Sequence, residues 1–402
     1  MSELPNGWRQ VRLADVGTWY GGGTPSKSRS EFWADGSISW LSPKDMRADV
    51  LSATADHITQ AAVNSSSTRL VEGPSVALVV RSGILERKLP IAEVPFDTTL
   101  NQDMKAVRPR DDVLPRYLRF AMQGVVAPQL PRLRKAGTTV ASLDSRALLA
   151  TEVPVAPIDE QHRIVAVLED HLSRLDAAAA YVVASNKRLD RMLETARDAF
   201  AQGPGKPLCD FLAGPLRNGH SAPADPSGSV RTLTLTAVTA GAFLDTNTKM
   251  TSPDRRKVAD LWLQAGDILV QRSNTPELVG TSALYDGPND WAIFPDLLIR
   301  VRVDKDRLRP AYAAIVLAST ASRRRFRSRA RGLAGSMPKI DQETIATTPV
   351  PVPTLAEQDK AVREFDSIRA SIARQRDAIA VMTPRGAALR RSVLSAAFAG
   401  RP

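Results

Sequence analysis

The sequence is poor in cysteine and in long apolar runs, and each shortage excludes a class of protein. A single cysteine, Cys209, among 402 residues cannot form an internal disulfide or supply a cysteine-rich metal site. The longest apolar stretches, at residues 76–80 and 177–184, are far shorter than the roughly 18 residues that a membrane span requires. No charged segment followed by an apolar core opens the chain, so no secretory signal is expected. We therefore expect a cytoplasmic protein without a membrane partner.

The charge balance of the chain is basic. Lysine and arginine number 54 against 43 aspartates and glutamates, which gives a formal net charge of +11. Such an excess favours a polyanionic partner, with DNA or RNA ahead of an anionic membrane surface. Hydrophobic residues make up 43% of the chain, as in ordinary globular proteins, and the length predicts two or three domains.

The chain repeats itself at about half its length, which indicates an internal duplication. Residues 153–161 (VPVAPIDEQ) align without a gap on residues 350–358 (VPVPTLAEQ), at an offset of 197 residues. Further matches occur in the same order at nearly the same offset: Asp144 with Asp341, Thr151 with Thr348, Pro115 and Tyr117 with Pro310 and Tyr312, and Ala-Phe-Ala at 199–201 with 397–399. Each half therefore consists of a variable domain, a proline-rich strand and a long helix.

The first long helix is predicted to begin after Pro157, and no further proline or glycine follows before Gly203. Its apolar stripe advances by three and four residues over five heptads, which is the spacing of a coiled coil. About 43 residues in a helix form a rod of roughly 65 Å. The stripe consists of Val165, Leu168, Leu172, Leu175, Ala179, Val182, Asn186, Leu189, Leu193, Ala196 and Phe200.

The second long helix is predicted at about residues 355–398 and has a less regular stripe. Arg369 and Arg376 interrupt this stripe, and Pro384 with Gly386 is expected to kink or break the helix. A single amphipathic helix would more often pack on its own domain. Two helices at equivalent places in a duplicated chain favour an antiparallel pair that holds the two variable domains apart.

The segments outside the helices are predicted to be mixed and rich in β-strands. Short apolar or alternating runs occur between glycines and prolines at residues 75–80, 92–96, 232–236, 267–271 and 297–303. The predicted organisation is a first domain at 1–157, its helix at 158–203, a second domain at 204–353 and its helix at 354–402. The predicted fold class is α+β.

Catalytic motifs are weak or missing. The chain has no Gly-x-x-x-x-Gly-Lys-Ser/Thr loop for nucleotide phosphates, and its four histidines show no metal-ligand spacing. Glu86-Arg-Lys88 and Asp103-Met-Lys105 match the carboxylate-x-Lys half of magnesium-dependent nuclease sites. Neither recurs in the second half, so a stand-alone nuclease is a minor alternative. The other alternative is a coiled-coil interaction scaffold whose basic charge is incidental.

Nucleic-acid contacts are better supported by the sequence. Six arginines lie within nine positions at residues 323–331, and guanidinium groups match phosphates and guanine edges. The competing interpretation is a solvated basic helix face. Polar residues beside an arginine, as in Gln-Arg-Ser-Asn at 271–274, suit the reading of base edges. The predicted DNA contacts are Lys44, Arg81, Arg87, Lys88, Arg134, Lys135, Arg272, Ser273, Asn274, Arg323, Arg324, Arg325 and Arg327.

The order of the motifs resembles that of the specificity subunits of type I restriction–modification enzymes. In the first half the similar segments are LPNGW (4–8), GGTPS (22–26), ISWL (38–41) and NQDMK (101–105). In the second half they are LRNGHS (216–221), GDIL (266–269) and QRSNTPELVG (271–280). Both helix entries read Pro-Val-x-x-x-x-Glu-Gln, at 154–161 and 351–358. The resemblance covers nearly the whole chain.

The resemblance implies two target-recognition domains, each followed by a long helix, with the two helices pairing as an antiparallel coiled coil. Each domain would read one half of a split double-stranded DNA target. The helices would act as a ruler and dock two methyltransferase subunits. Since the two domains open with different motifs, the implied target is asymmetric.

The same resemblance implies that this chain is not an enzyme and holds no cofactor or metal. S-adenosylmethionine is expected in the methyltransferase subunits, which methylate adenine. ATP and Mg²⁺ are expected in restriction and translocase subunits, where a complex has them.

Overall fold

The chain folds into two compact units, as described by a computed structural model for residues 4–135, 140–238, 241–332 and 337–399. Unit 1 comprises Met1–Val182 and Val381–Pro402, and unit 2 comprises Val183–Ala380. Each unit has hydrophobic cores of its own. Each also combines a mixed α+β domain with parts of both long helices.

The mixed domain of unit 1 is built from short strands and helices. Its strands are β1 (Arg9–Arg12), β2 (Gly17–Gly21), β3 (Ile38–Leu41), β4 (Asp56–Ile58), β5 (Ser75–Val79), β6 (Ile91–Val94), β7 (Thr99–Leu100), β8 (Met104–Pro109) and β9 (Glu152–Val155). Its helices are α1 (Gln60–Ser65), α2 (Pro115–Ala121), α3 (Leu130–Leu133) and α4 (Ser145–Ala150). An antiparallel inner sheet has the strand order β2-β8-β5-β6, and β5 is buried along its whole length, as its apolar run predicts.

Two smaller sheets complete unit 1. The outer sheet has the order β4-β3-β7, in which β3 pairs antiparallel with β4 and parallel with β7. It accompanies a separate small core of Phe32, Trp40, Ile58 and Ala62. β1 pairs antiparallel with β9, so the start of the domain is tied to the strand that leads into the first long helix.

The first long helix is α5 (Ile158–Phe200), which runs for 43 residues and begins directly after Pro157, as predicted. Leu168 and Leu172 of its apolar stripe are buried in unit 1, and Leu189 is buried in unit 2. Ala179 of the same stripe is exposed. The heptad pattern therefore marks the inner side of the helix at both of its ends.

The mixed domain of unit 2 has a similar set of elements. Its strands are β10 (Gly205–Pro207), β11 (Arg217–Asn218), β12 (Val230–Leu233), β13 (Thr248–Thr251), β14 (Ile268–Gln271), β15 (Ser282–Leu284), β16 (Leu298–Val301) and β17 (Pro349–Pro351). Its helices are α6 (Pro310–Leu317), α7 (Thr320–Arg329) and α8 (Gln342–Ala346). All five strand-like runs singled out in the sequence coincide with observed strands, within a few residues at their ends.

The inner sheets of the two units share one topology. The antiparallel order β11-β16-β14-β15 of unit 2 corresponds to β2-β8-β5-β6 of unit 1, and β10 pairs with β17 as β1 pairs with β9. A duplicated sequence accounts for this correspondence. The outer sheets share their pairing pattern: β12 pairs antiparallel with β13 as β3 does with β4, and a parallel bridge between Thr232 and Ile293 stands where β3 pairs with β7. The duplication is thus retained in the sheets, whereas the outer cores of the two units differ in size and residues.

The second long helix is divided into α9 (Leu355–Ala380) and α10 (Met382–Phe398). The break at Val381 confirms the effect expected of Pro384, whose ring clashes with the carbonyl four residues earlier, that of Ala380. Gly386 lies inside α10. Across the described ranges, no helix combines the length and the apolar character needed to cross a lipid bilayer.

The two long helices pair antiparallel. In unit 2, Arg376 of α9 pairs with Asp190 of α5, and in unit 1, Arg390 of α10 pairs with Asp176 of α5, at 2.8 Å. Arg376, which interrupts the apolar stripe, therefore serves as an interhelical ion-pair partner. The predicted fold class, with two mixed domains and an antiparallel helix pair, is confirmed.

Candidate nucleic-acid interface

The repeated Glu-Gln signature places a buried glutamine at the base of each mixed domain. In unit 1, Gln161 is fully buried. Its Oε1 accepts a hydrogen bond from the backbone N–H of Leu114 at 2.9 Å, and its Nε2 donates to the carbonyls of Asp112 and Ala156, each at 2.8 Å. One side chain thereby holds the start of α5, the loop before α2 and the exit from β9.

The same three contacts recur at equivalent positions in unit 2. Gln358 is also fully buried. Its Oε1 accepts from the backbone N–H of Arg309 at 2.8 Å, and its Nε2 donates to the carbonyls of Pro353 at 2.9 Å and Arg307 at 3.3 Å. The repeated signature is therefore structural, because it fixes each mixed domain to the helix that follows it.

In each unit, the mixed domain contacts the Ala-Phe-Ala segment that belongs to the other repeat. Phe398, at the end of α10, packs edge-on against Tyr117 in unit 1, with ring centroids 5.4 Å apart. In unit 2, the hydroxyl of Tyr312 donates to the carbonyl of Phe200, at the end of α5, at 3.0 Å. Burial raises the pKa of both tyrosines, so both hydroxyls stay protonated as donors. Each mixed domain is thus packed by the end of the helix that belongs to the other half of the sequence.

Five of the predicted DNA contacts form one surface on unit 1. Backbone bridges join Arg81 to Ser142 and Arg134 to Leu143. These bridges bring two segments that are distant in the sequence next to each other. The resulting cluster, here called the basic surface of unit 1, consists of Arg81, Arg87, Lys88, Arg134 and Lys135.

Ion pairs engage only part of this basic surface. Arg134 donates to Glu86 at 2.7 Å, and Nε of Arg81 lies 3.8 Å from Asp103. The side chains of Arg87 and Lys88 are exposed and make no hydrogen bond or ion pair with any residue in the described ranges. Lys135 is likewise exposed and without an ion pair among the described residues, so Arg87, Lys88 and Lys135 are the members most accessible to a phosphate.

Lys44 lies apart from the basic surface. It follows β3 in a short 3-10 turn, Pro43–Asp45, and its ammonium group pairs with Asp56 of β4 at 2.7 Å. Both side chains remain partly exposed. The structure therefore places this predicted contact at the outer sheet of unit 1.

The two carboxylate-x-Lys segments face arginines. Glu86 pairs with Arg134, and Asp103 lies beside Arg81. Glu86 accepts a hydrogen bond from Arg134 at 2.7 Å, whereas Oδ1 of Asp103 lies 3.8 Å from Nε of Arg81 and has no hydrogen-bond partner among the described residues. Among the residues that the structure describes, no three His, Cys, Asp or Glu side chains are grouped to hold a metal ion.

The polar segment at 271–274 is folded inward. Ser273 and Asn274 are only 1% and 8% exposed. The Asn274 amide donates to Oε1 of Gln271 at 2.9 Å, and its Oδ1 accepts from the backbone N–H of Thr275 at 2.8 Å. Asparagine often stabilises its own turn in this way. The Asn274 side chain, predicted from the sequence to read base edges, therefore shapes the turn after β14, whereas the buried Ser273 hydroxyl has no hydrogen-bond partner among the described residues. Arg272 is half-buried beside them.

The arginines of α7 divide by helix face. Arg323 and Arg327, one turn apart, both donate to the backbone carbonyl of Glu277, at 2.8 and 2.6 Å. Arg325 points elsewhere and donates to the carbonyl and hydroxyl of Thr347, at 2.9 and 2.8 Å. Arg324 is exposed and makes no hydrogen bond or ion pair with a described residue. The run is therefore partly a structural clamp and not simply a solvated basic face.

A cleft of about 860 Å³ lies beside α7. We call it the arginine cleft, because its lining includes Arg323, Arg324 and Arg327 of α7 and Arg197 of α5. Burial, followed by the nearby charges of Arg327 and Arg197, lowers the pKa of Arg323 to about 10, so it remains charged at neutral pH. Sequence reasoning missed Arg197, since nothing in the local pattern of α5 distinguishes it from the other arginines of that helix.

A further arginine missed by sequence reasoning joins the mixed domain of unit 1 to both long helices. Arg390 of α10 pairs with Asp49 of the domain and, at 2.8 Å, with Asp176 of α5. The Arg390 side chain is 29% exposed, so the interaction is only partly screened by water. One guanidinium group therefore fixes three segments relative to one another.

Helix α2 adds a second connection within unit 1. Arg116 donates to Glu93 at 2.9 Å and to Glu169 of α5 at 2.8 Å, and the hydrogen bond that Glu93 accepts is the main reason that the pKa of Arg116 is raised. Arg119 is almost fully buried, and burial lowers its pKa. The equivalent positions of unit 2 are occupied by Ala311 and Ala314. This set of charges is therefore a property of the first domain alone.

The comparisons with known proteins point to one family. Residues 5–179 match the family described as the type I restriction modification DNA specificity domain. The specificity subunit of the Escherichia coli type I restriction enzyme EcoR124I/EcoR124II is 46% identical over 157 residues, which cover 39% of this chain and 39% of that protein. The match thus spans about two fifths of that relative. The StySPI specificity subunit of Salmonella potsdam is 22% identical over 424 residues, covering 99% of this chain and 90% of that protein.

The fold has a counterpart among solved structures. A chain from a structure on complex assembly and conformational transition of the type I R-M system matches with a TM-score of 0.74 and 19% identity, covering 99% of each chain. At this identity the likeness establishes the fold. The resemblance to type I specificity subunits, drawn from the order of the sequence motifs, is confirmed.

Proposed function

We propose that this chain is the DNA-specificity subunit of a type I restriction–modification complex and reads a bipartite, asymmetric target. The observation that carries the proposal is one scaffold built twice with different outer parts. The inner sheets, the buried glutamines and the closing phenylalanines are equivalent in the two units, whereas the outer sheet of unit 1 accompanies a small core with Phe32 and Trp40 and that of unit 2 a larger core with Tyr285 and Phe294. Two similar supports for two different surfaces suit a protein that reads two different half-sites.

The chain itself is proposed to be non-catalytic. Two methyltransferase subunits would dock on the antiparallel helix pair and methylate adenine with S-adenosylmethionine. Restriction and translocase subunits, where the complex includes them, would bind ATP and Mg²⁺. Such a complex acts on cellular DNA, so we place it in the cytoplasm.

The DNA contacts are proposed to come mainly from accessible cations. The side chains of Arg87, Lys88 and Lys135 on unit 1 and of Arg324 on unit 2 are exposed, and none of them makes a hydrogen bond or ion pair with a described residue. Guanidinium and ammonium groups in that state bind phosphates strongly and in a salt-dependent manner. Arg272 and Lys44 are secondary candidates. Asn274 would act by shaping the turn that carries Arg272.

A genome-wide map of adenine methylation, with and without this gene, tests the proposal. We expect deletion to abolish methylation at one split, asymmetric motif and to leave all other methylated motifs unchanged. Complementation with the intact gene should restore that motif. Identical maps in an expressing host would overturn the specificity role and favour the scaffold alternative. A salt titration of DNA binding would then test whether the chain binds DNA at all.

A further inference from the structure

The arginine cleft gathers cations from two elements that are far apart in the sequence. Its lining includes Arg197, Arg323, Arg324 and Arg327 together with Glu194 and Glu277, so four arginines stand against two carboxylates. All of these residues belong to unit 2. The cleft therefore carries a net positive charge from its own lining.

The cations are crowded. The pKa of Arg323 is lowered to about 10 by burial and by the charges of Arg327 and Arg197, and burial also lowers the pKa of Arg197. Like charges held together in a partly buried site raise the free energy of the empty cleft. An anion that enters the cleft would relieve this repulsion.

Most N–H groups of these arginines remain available. A guanidinium group carries five donors. Arg327 uses one for the carbonyl of Glu277, and Arg323 uses two, for that carbonyl and for the hydroxyl of Thr281. The Arg324 side chain makes no hydrogen bond or ion pair with the residues described. The cleft can therefore offer several charge-assisted hydrogen bonds to one ligand.

Ser282 supplies an independent indication of a ligand. It lines the same cleft and is only 3% exposed, and its buried hydroxyl has no hydrogen-bond partner in the described part of the chain. Buried polar groups in folded proteins are nearly always hydrogen-bonded, so an exception needs an explanation. A hydroxyl beside guanidinium groups is a common donor to phosphate oxygens.

We propose that the arginine cleft binds a phosphate group, with Arg197, Arg324 and Ser282 as donors to its oxygens. Guanidinium forks match the geometry of phosphate, and a carboxylate ligand would leave more of these donors unused. Where the phosphate belongs to the DNA backbone, the inference rests on the proposed function. The phosphate contact would then set the register of the second domain on the duplex without reading a base. The phosphates of a free nucleotide offer the same chemistry.

The test uses the full chain, two cleft variants and a matched control. Arg324→Gln removes an exposed cation from the cleft, whereas Arg329→Gln removes an exposed cation of the same helix that does not line it. Ser282→Ala removes the unpartnered hydroxyl. Binding of a labelled 20-base-pair duplex is measured across a range of salt concentrations, and Tm is measured for each variant.

We expect R324Q to weaken binding and to reduce the slope of log K against log salt by about 0.9, the effect of one phosphate contact. R329Q should keep the slope of the unmodified chain. S282A should weaken binding several-fold while its Tm stays equal or rises, because a buried hydroxyl without a partner is destabilising. A merely structural role for Ser282 would move both quantities in the same direction.

A second arm replaces DNA with ATP and follows Tm. A rise in Tm that R324Q and S282A abolish, without any effect on DNA binding, assigns the phosphate to a free nucleotide. Equal behaviour of R324Q and R329Q in both arms overturns the proposal. If R324Q and S282A lose only binding of the methyltransferase subunits, the proposal is also overturned, because the cleft would then bind an acidic protein surface. If deletion of the gene leaves the methylation map unchanged but the cleft variants weaken binding of DNA or ATP, the specificity role is contradicted and the phosphate site is supported.

Discussion

Gln161 and Gln358 explain a repeated motif at the scale of single residues. Each side chain satisfies one backbone N–H and two backbone carbonyls in a place that water does not reach. No apolar residue can replace those three hydrogen bonds, which accounts for the same residue type at both positions of the duplicated chain. Glutamine is required by the fold, and its position near each helix start is no sign of a ligand.

Gln161→Leu is expected to lower the free energy of unfolding of unit 1 by about 2–4 kcal/mol, because three buried backbone groups lose their partner. Chemical denaturation of the full chain measures the change. His162→Leu is the matched control, since His162 is the next residue of α5 and is exposed. It should change the free energy by less than about 0.5 kcal/mol. Equal effects of the two substitutions would contradict the structural role of the three Gln161 hydrogen bonds.

Asp341 is expected to make the stability of unit 2 depend on pH. Hydrogen bonds from the side chain and backbone N–H of Thr344 lower the pKa of this carboxyl in the folded chain. A carboxyl with a depressed folded pKa contributes stability above its unfolded pKa of about 3.9, and that contribution is lost as pH falls through the folded pKa. Asp341→Ala should therefore destabilise by about 1 kcal/mol at pH 7, through loss of the helix cap of α8.

Urea denaturation between pH 3 and pH 7 checks this prediction. The difference between Asp341→Ala and the unmodified chain should shrink as the pH falls below about 4. Asp306→Ala serves as the control, because the Asp306 side chain is exposed and caps no described helix. A difference that stays constant over the whole range would mean that the carboxylate charge is not involved.

At the scale of elements, α10 packs on a mixed domain that belongs to the opposite end of the sequence. Phe398 supplies apolar contact against Tyr117, and Arg390 supplies the charged contact to Asp49 and Asp176. The phenylalanine has an equivalent in the other repeat, at Phe200. The ion pairs of Arg390 depend on Asp49, which lies outside the repeated motifs.

Arg390→Met is expected to destabilise unit 1 by about 1–2 kcal/mol, because two partly exposed carboxylates lose their shared partner while the aliphatic packing is retained. Thermal unfolding and hydrogen exchange of α10 measure the effect. Arg391→Met is the control, since Arg391 is exposed and forms no ion pair with a described residue. Faster exchange in both variants alike would show that Arg390 has no special role.

At the scale of the whole molecule, the helix pair is proposed to set the distance between two DNA-reading domains. Removing residues 180–186 and 380–386 together deletes one heptad from each helix between the two interhelical ion pairs. Both pairs then keep a common register. Seven helical residues correspond to about 10 Å, or about three base pairs at 3.4 Å per pair.

The double deletion is therefore expected to shorten the unread spacer of the methylated motif by about three base pairs, since B-form DNA rises 3.4 Å per pair. The methylation map of a complemented host measures the spacer. Deleting 180–186 alone is the control, because it shifts Asp190 out of register with Arg376 and should abolish methylation instead of moving it. An unchanged spacer in the double deletion would contradict the proposal that the length of the helix pair sets the length of the spacer.

The duplication, the long helices, the break near Pro384 and most of the strands could be predicted from the sequence. These features depend on local physics: apolar residues repeat with the period of the element, and proline lacks a donor and clashes with the preceding turn. The first helix boundary was predictable for the same reason, because Pro157 precedes an uninterrupted helix-forming segment. The antiparallel pairing followed once two such helices were placed in a duplicated chain.

The accessibility of each polar side chain was decided only by the tertiary structure. Ser273 and Asn274 have the composition of a base-reading loop, yet the turn after β14 buries them. Arg323 and Arg327 share a run with Arg324, but Glu277 engages only the first two. Arg197 lies more than one hundred residues from α7 and reaches the same cleft. Sequence determines the period and chemistry of each segment, whereas burial and partner choice depend on which distant segments the fold brings together.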